Sequence, residues 1–236
     1  MSGQGQACPE RGNAEILRPE AFGTQDDKRR DGRATVRLLY VSLYCEHKDL
    51  GTLLKAMALL NRDGGESFIL NTTANPHWDE VRLALTRGQD IALAQRPEIA
   101  RWVQIAGPLS KEETDRLYLA SDVFVFPSLT ESFGFPMVEA MAYGLPIVAA
   151  DTQVNREICG DAALYFRTQD PDDLAEKVRC LCGDEALRRR CREGGRARVA
   201  SHFRWEEHAA RLLAAAGKHP CGGERPFAPA TRAASG

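Results

Sequence analysis

Two patterns of apolar and polar positions alternate along the chain: short continuous apolar runs, and apolar residues at helical spacing. Six short runs rich in Val, Ile, Leu and Phe, bounded by Gly, Pro or polar residues, predict buried strands. They lie at residues 36–42, 68–72, 102–106, 123–126, 146–150 and 163–166. Between them, apolar residues recur at helical spacing, which predicts helices with one buried face. The alternation predicts an α/β domain with a doubly wound, mostly parallel, Rossmann-like sheet of about six strands.

Start and stop signals locate the helices. Asp49 is a fair N-terminal cap for a helix that ends near residue 60, and residues 110–113 form a capping box for a helix that ends near residue 120. Pro136 suits the first position of a helix that ends just before Gly144. Further helices are expected from about residue 78 with an interruption near Gly88 and Gln89, after residue 170, around residues 188–196, and over residues 205–216.

The two ends of the chain lack these patterns. Residues 1–33 are polar and charged, and residues 217–236 are rich in Gly, Pro, Ala and Ser. We therefore expect a flexible N-terminal arm over 1–33, one domain over 34–216 and a disordered tail over 217–236. About 35 residues precede the first predicted strand, too few for another domain of this size.

Composition narrows the class of protein. The 236 residues are 43% hydrophobic and 27% charged with a net charge of −2, which indicates an ordinary globular protein with no nucleic-acid partner. No apolar run approaches the length of a transmembrane segment, and residues 1–17 lack the apolar core of a signal peptide. We expect a cytoplasmic protein, or one peripheral at the membrane. The seven cysteines show no zinc-binding spacing, so no metal site is predicted.

The segment 120–151 carries the chemistry. It predicts a strand, a Gly-containing loop, a helix and a second strand, with the helix N-terminus and the amides of Gly134 and Phe135 at the carboxyl edge of the sheet. A helix N-terminus favours a phosphate. Glu131 in the loop and Glu139 in the first helical turn accept hydrogen bonds from hydroxyls, and a phosphate plus hydroxyls describes a nucleotide-sugar. The alternative is that Glu139 only complements the helix dipole and Glu131 is a solvated turn residue.

Residues 121–151, with two glutamates in E-x7-E spacing around Ser-Phe-Gly-Phe-Pro, closely resemble one half of a known enzyme. That half is the C-terminal donor-binding domain of the family 4 (glycosyl transferases group 1) retaining glycosyltransferases, which have the GT-B fold. The resemblance continues through Asn155-Arg156-Glu157-Ile158-Cys159-Gly160-Asp161-Ala162-Ala163-Leu164-Tyr165-Phe166 and Phe203-Arg204-Trp205-Glu206, and covers roughly residues 36–216.

The resemblance implies a role for each matching residue. Glu131 would approach the donor sugar, Glu139 would hold the ribose hydroxyls, and Lys48 would stabilise the departing diphosphate. Its remaining donor-binding residues would be Phe133, Gly134, Phe135, Pro108 and Leu109, the last two beside the base. The family generally needs no metal or other cofactor.

The lysine loop departs from the family in one respect. Family members commonly carry an Arg and a Lys in this loop, whereas residues 42–48 retain only Lys48, so Arg156 is one candidate for the missing cation. From the residues alone, Lys48 is equally well a surface lysine, and His47 is a plain loop residue.

The function expected from the resemblance is transfer of a hexose, with retention, from a nucleotide-diphosphate sugar to a carbohydrate or lipid-linked glycan acceptor in polysaccharide biosynthesis. The resembled enzymes have two domains, and this chain appears short of the N-terminal acceptor domain. The alternative is a non-catalytic nucleotide-sugar-binding module, or one subunit of a transferase whose acceptor domain is a separate chain. An epimerase is disfavoured, because other family patterns carry that chemistry.

Overall fold

The computed structural model describes residues 29–30, 33–62, 65–76 and 85–203. Its strands are β1 (Arg29–Arg30), β2 (Arg33–Tyr40), β3 (Ser67–Thr72), β4 (Val103–Ile105), β5 (Val123–Phe126), β6 (Ile147–Ala150) and β7 (Ala163–Phe166). They form one sheet in the order β4-β3-β2-β5-β6-β7, in which every neighbouring pair is parallel. All six predicted strands are confirmed, and β1 adds an antiparallel pairing with β2.

Every residue of β5 and β6 is buried, as expected of a parallel sheet that is covered by helices on both faces. The helices are α1 (Leu50–Leu60), α2 (Arg87–Ala94), α3 (Pro97–Ala100), α4 (Lys111–Ala120), α5 (Phe135–Tyr143), α6 (Gln153–Cys159), α7 (Pro171–Gly183) and α8 (Glu185–His202), with 3-10 turns at Glu46–Lys48 and Gly160–Ala162. Helix α1 packs against α2, α3 and α7, whereas α5 packs against α4, α6 and α8. None of the described helices is long and apolar enough to cross a bilayer.

The predicted caps are present. The Asp49 side chain accepts a hydrogen bond from the Thr52 amide at the start of α1. At α4, the Ser110 side chain accepts from the Glu113 amide, and the Glu113 carboxylate accepts from the Ser110 amide. Each reciprocal bond satisfies an amide that the helix itself leaves without a partner. The sequence therefore set these helix starts through local contacts.

One helix prediction needs correction. Helix α5 begins at Phe135, so Pro136 is its second residue and Glu139 lies in the second turn, not in the first. The interruption expected near Gly88 and Gln89 lies close to a turn at residues 85–86, after which α2 begins at Arg87 and includes both residues.

Part of the predicted flexible arm is ordered. Arg29 and Arg30 pair with Ala34 and Arg33 at the beginning of β2. The remainder of that arm, the expected helix start near residue 78, the closing helix over 205–216 and the tail over 217–236 lie outside the described residues.

The strand order places a crevice between β2 and β5. Numbered along the chain, the six parallel strands follow the order 3-2-1-4-5-6, so the direction of winding reverses between β2 and β5. Loops that leave neighbouring strands in opposite directions open a crevice at their carboxyl ends, which is where doubly wound sheets bind ligands. The loops that follow Tyr40 and Phe126 therefore define the position to examine.

Candidate functional site

Lys48 and Glu131 meet at this crevice. Lys48 ends the 3-10 turn after β2, Glu131 lies in the loop after β5, and Lys48 Nζ is 2.5 Å from Glu131 Oε1. The Lys48 side chain is 18% exposed and that of Glu131 is 10% exposed. Lys48 is therefore not an ordinary surface lysine, and Glu131 is not a solvated turn residue.

Two hydrogen bonds fix the turn that carries Lys48, one to β2 and one to the loop after β5. The hydroxyl of Tyr40, the last residue of β2, donates to the Lys48 carbonyl at 2.9 Å. The Leu129 amide donates to the His47 carbonyl at 2.8 Å. Tyr40 is completely buried, and burial raises the pKa of its hydroxyl, which keeps the proton in place for donation. His47 thus acts through its carbonyl, in agreement with the plain loop residue expected.

The N-terminus of α5 is built on a glycine. Gly134 adopts a φ of +87° as the residue before the helix, a conformation that costs other residues free energy. A Cβ at this position would lie 2.5 Å from Met137 Cε, the flexible end of that side chain, which would have to shift. Pro136 has no N–H, and the Met137 amide donates to the Gly134 carbonyl at 3.0 Å. The amides that this tip can present to an anion are therefore those of Gly134 and Phe135.

Aromatic rings surround the tip of α5. Phe135 is 67% exposed, and its ring centroid lies 4.8 Å from that of Phe133. Phe133 in turn contacts Phe203 edge to face at 5.8 Å. The predicted donor-binding residues Phe133, Gly134 and Phe135 are therefore contiguous in space, with one ring open to solvent.

Glu139 is held by a residue that the sequence did not single out. The hydroxyl of Tyr118 in α4 donates to Glu139 Oε2 at 2.9 Å. The alternative role for Glu139, a carboxylate that only complements the helix dipole, does not account for this contact.

Arg156, the candidate for the missing cation, is paired with an acidic neighbour. Its Nε and Nη2 donate to the two oxygens of Asp151 at 2.5 and 2.8 Å, and its guanidinium lies 4.4 Å from the centroid of the Tyr165 ring. The hydrogen bonds from Arg156 lower the pKa of the Asp151 carboxyl. Because Asp151 follows β6, this ion pair lies one strand away from the crevice between β2 and β5, and the carboxylate balances the charge of the guanidinium.

Pro108 and Leu109 follow β4, the outer strand of the sheet. Pro108 is exposed, and Leu109 is partly buried against the core. Within the described part of the chain, no hydrogen bond or ion pair joins either residue to Glu131 or Glu139. They border the same edge of the sheet, three strands away from β5.

The cysteines of the described chain are all free. Those residues are Cys45, Cys159, Cys180, Cys182 and Cys191. Burial raises the pKa of the Cys159 thiol to about 12, so this group stays protonated and unreactive at neutral pH.

Comparison with known proteins places this geometry in a family. The sequence model for "Glycosyl transferases group 1" matches residues 27–198, which include Lys48, Glu131 and Glu139. The chain belongs to this family. The match also contains the whole parallel sheet, from β2 to β7.

Two curated relatives are named as mannosyltransferases. This chain is 29% identical over 168 residues to "O-antigen chain mannosyltransferase B" of Escherichia coli, and the match covers 71% of this chain and 42% of the relative. It is 30% identical over 189 residues to "MMP alpha-(1->4)-mannosyltransferase" of Mycolicibacterium hassiacum, covering 78% of this chain and 44% of the relative. The chain therefore spans less than half of the length of the curated relatives it matches.

Solved structures share the fold. Sucrose-phosphate synthase from Thermosynechococcus elongatus matches with a TM-score of 0.62 and 27% identity, over 77% of this chain and 46% of that chain. The C-terminal domain of a glycosyl transferase group 1 family protein from Francisella tularensis matches with a TM-score of 0.60 and 16% identity, over 80% of this chain and 99% of that domain. The predicted α/β, Rossmann-like architecture of one half of a GT-B glycosyltransferase is confirmed.

Proposed function

We propose that this chain binds a nucleotide-diphosphate sugar at the crevice between β2 and β5, as the C-terminal donor-binding half of a family 4 GT-B glycosyltransferase. The observation that carries the proposal is the ion pair between Lys48 and Glu131 at the reversal of strand order, next to the N-terminus of α5. A sheltered cation and an amide-lined helix tip suit a diphosphate, and a sheltered carboxylate suits sugar hydroxyls.

The reaction we propose is transfer of a hexose, with retention, to a hydroxyl of a carbohydrate or lipid-linked glycan. The bond between the anomeric carbon and the phosphate oxygen breaks, and the diphosphate leaves with the electron pair. A bond forms between the anomeric carbon and the acceptor oxygen, and the proton of that hydroxyl passes to the leaving diphosphate. Lys48 and the amides of Gly134 and Phe135 oppose the negative charge that develops on the leaving group, without a metal.

The remaining residues divide the donor between them. Glu131 takes hydroxyls of the sugar, Glu139 takes hydroxyls of the ribose, and Pro108 and Leu109 border the base. The exposed ring of Phe135 stands beside the donor at the tip of α5. Relatives named as mannosyltransferases support a hexose donor, and the name "O-antigen chain mannosyltransferase B" supports a glycan acceptor.

Calorimetry with UDP, GDP, ADP and their hexose derivatives tests the proposal. At least one of them should bind the wild-type chain. Glu139→Ala should weaken binding of the nucleotide and of its hexose derivative about tenfold or more, whereas Glu131→Ala should weaken binding of the hexose derivative, since each removes a charged acceptor. Glu112→Ala, at an exposed glutamate in the first turn of α4, is the matched control and should bind as the wild type does. Wild-type affinity in both site variants would refute the proposal.

The second candidate is binding without catalysis. The chain matches 42% and 44% of the length of the two mannosyltransferases, so donor binding and transfer by this chain are tested separately. Under the second candidate, the chain is a nucleotide-sugar-binding module, or the donor-binding subunit of a two-chain transferase. Release of nucleoside diphosphate by the chain alone, with a glycan acceptor, would favour transfer by a single chain. Release only after a separately produced N-terminal acceptor domain is added would favour the two-chain arrangement.

A further inference from the structure

Tyr118, which donates a hydrogen bond to Glu139, is held in place by aromatic packing on both sides. Its side chain is 1% exposed, and its ring stacks on Phe124 at 5.9 Å and on Tyr143 at 4.9 Å. The planes of the two tyrosine rings differ by only 3°. Two flanking rings leave the Tyr118 hydroxyl little freedom, and that hydroxyl points to Glu139.

The hydrogen bond leaves one oxygen of Glu139 available. Tyr118 Oη donates to Oε2 at 2.9 Å, and a weaker contact of 3.4 Å reaches the Pro136 carbonyl. In the described part of the chain, Tyr118 supplies the hydrogen bond recorded for the Glu139 carboxylate, whose Oε1 remains free to accept from a ligand. Burial, with the negative charge of Glu139, raises the pKa of Tyr118, so the hydroxyl keeps its proton at neutral pH.

An exposed glutamate on a helix can adopt several rotamers, and a carboxylate recognises a vicinal diol only from a limited set of orientations. A donor fixed in a rigid aromatic stack removes that freedom before the ligand arrives. Preorganisation of this kind favours binding because the ligand does not have to order the side chain itself.

We propose that Tyr118 is a positioning residue that orients Glu139 toward the ribose diol of the donor nucleotide and thereby sets the preference for ribonucleotides over deoxyribonucleotides. The proposal rests on the proposed function, because it assumes that Glu139 binds ribose. Tyr118 itself does not touch the nucleotide; it acts through Glu139.

The experiment compares a nucleoside diphosphate with its 2′-deoxy and 3′-deoxy forms by calorimetry, using whichever of UDP, GDP and ADP binds the wild-type chain best. Tyr118→Phe should weaken binding of the ribonucleotide about three- to tenfold, the effect of one lost hydrogen bond. It should change the affinity for a deoxynucleotide by less than about twofold, because the ribose hydroxyl that would donate a hydrogen bond to Glu139 is absent.

Tyr143→Phe is the matched control. It removes a hydroxyl from the neighbouring ring of the same stack, and that hydroxyl faces Asp115 and Lys111 instead of Glu139. It should leave the ribose preference unchanged. In a Glu139→Ala background, Tyr118→Phe should have no further effect, because the group that it positions is gone.

The outcomes are distinct. If Tyr118→Phe weakens ribonucleotide and deoxynucleotide equally, the tyrosine is structural and the inference is wrong. If it changes neither, the inference is also wrong, while the proposed function stands. If the wild-type chain binds none of the three nucleoside diphosphates, the proposed function fails and the inference fails with it. Because Tyr118→Phe keeps the ring in its stack, its melting temperature should stay close to that of the wild type.

Discussion

The ammonium group of Lys48 lies 2.5 Å from the carboxylate of Glu131, although 83 residues separate them in sequence. The pair joins the loop after β2 to the loop after β5 and neutralises two charges that are both largely sheltered from solvent. Under the proposed function, a diphosphate would compete with Glu131 for Lys48. Donor binding would then begin with an exchange of partners at this ion pair.

Lys48→Met should lower both stability and donor affinity. The variant leaves Glu131 sheltered without its cation, and we expect a loss of about 1 to 3 kcal/mol in the free energy of unfolding, between the values for exposed and fully buried pairs. Nucleoside diphosphate affinity should fall about tenfold or more. Urea denaturation and calorimetry measure the two effects. Lys111→Met, at an exposed pair with Asp115, should change neither by a measurable amount; equal effects in both variants would contradict the role given to Lys48.

Tyr40→Phe separates support of the lysine turn from general stability. It removes the bond to the Lys48 carbonyl and should cost about 1 kcal/mol in the free energy of unfolding. Tyr165→Phe is the control, because its hydroxyl also donates to a carbonyl, that of Gly160 at 2.6 Å, away from the crevice. Both variants should lose similar stability, but only Tyr40→Phe should weaken donor binding. Equal binding by the two variants would show that the turn needs no such support.

Gly134→Ala should disrupt the tip of α5. The substitution imposes a φ of +87° on a residue with a side chain, so we expect a loss of about 1 to 2 kcal/mol in the free energy of unfolding and weaker nucleotide binding. Gly183→Ala, at the last residue of α7 with open space around it, should be neutral or slightly stabilising. Thermal and urea denaturation of both variants give the comparison, and a fully stable Gly134→Ala would contradict the backbone assignment.

Asp90 should make stability depend on pH. Burial raises the pKa of its carboxyl, and the hydrogen bond of 2.7 Å from the Tyr44 hydroxyl opposes only part of that effect. Because the folded-state pKa lies above the unfolded value of about 4, stability is highest below that value and falls as the pH rises through the folded pKa. Asp90→Asn should therefore gain stability relative to the wild type between about pH 4 and pH 7.

Asp151→Asn provides the opposite slope as a control. The pKa of Asp151 is lowered by Arg156, so this carboxylate stabilises the fold above its unfolded pKa and loses that contribution in acid. Relative to the wild type, Asp151→Asn should lose stability as the pH rises. Urea denaturation at a series of pH values measures both differences; parallel profiles for Asp90→Asn and the wild type would show that Asp90 is not perturbed by burial.

Arg156→Gln should leave nucleoside diphosphate affinity within about twofold of the wild type, because its guanidinium is already bonded to Asp151 beside β6. Calorimetry under the conditions used for Lys48→Met checks this. A tenfold loss would restore Arg156 as the second cation of the site.

Much of this molecule follows from local sequence. The strand around Val123 and the caps at Asp49 and Ser110 are set by residues within a few positions of each other, so periodicity and capping rules predicted them. The start of α5 lies one residue earlier than predicted, because the residue before the helix is Gly134, in the left-handed conformation.

The partners of the site residues could not be predicted in the same way. Contact between Lys48 and Glu131 depends on β2 lying beside β5, and contact between Tyr118 and Glu139 depends on how α4 packs on α5. Both are set by tertiary packing between distant segments. The charge of Arg156 likewise suggested a contact with the ligand, but the structure pairs this side chain with the nearby Asp151.

The edge-to-face contact between Phe203 and Phe133 places the end of α8 one ring away from the tip of α5. Arg29 and Arg30 pair with the beginning of β2, at the opposite edge of the sheet. A bulky label attached at position 203 would therefore crowd a nucleotide at that tip, whereas the same label at position 29 would leave it clear.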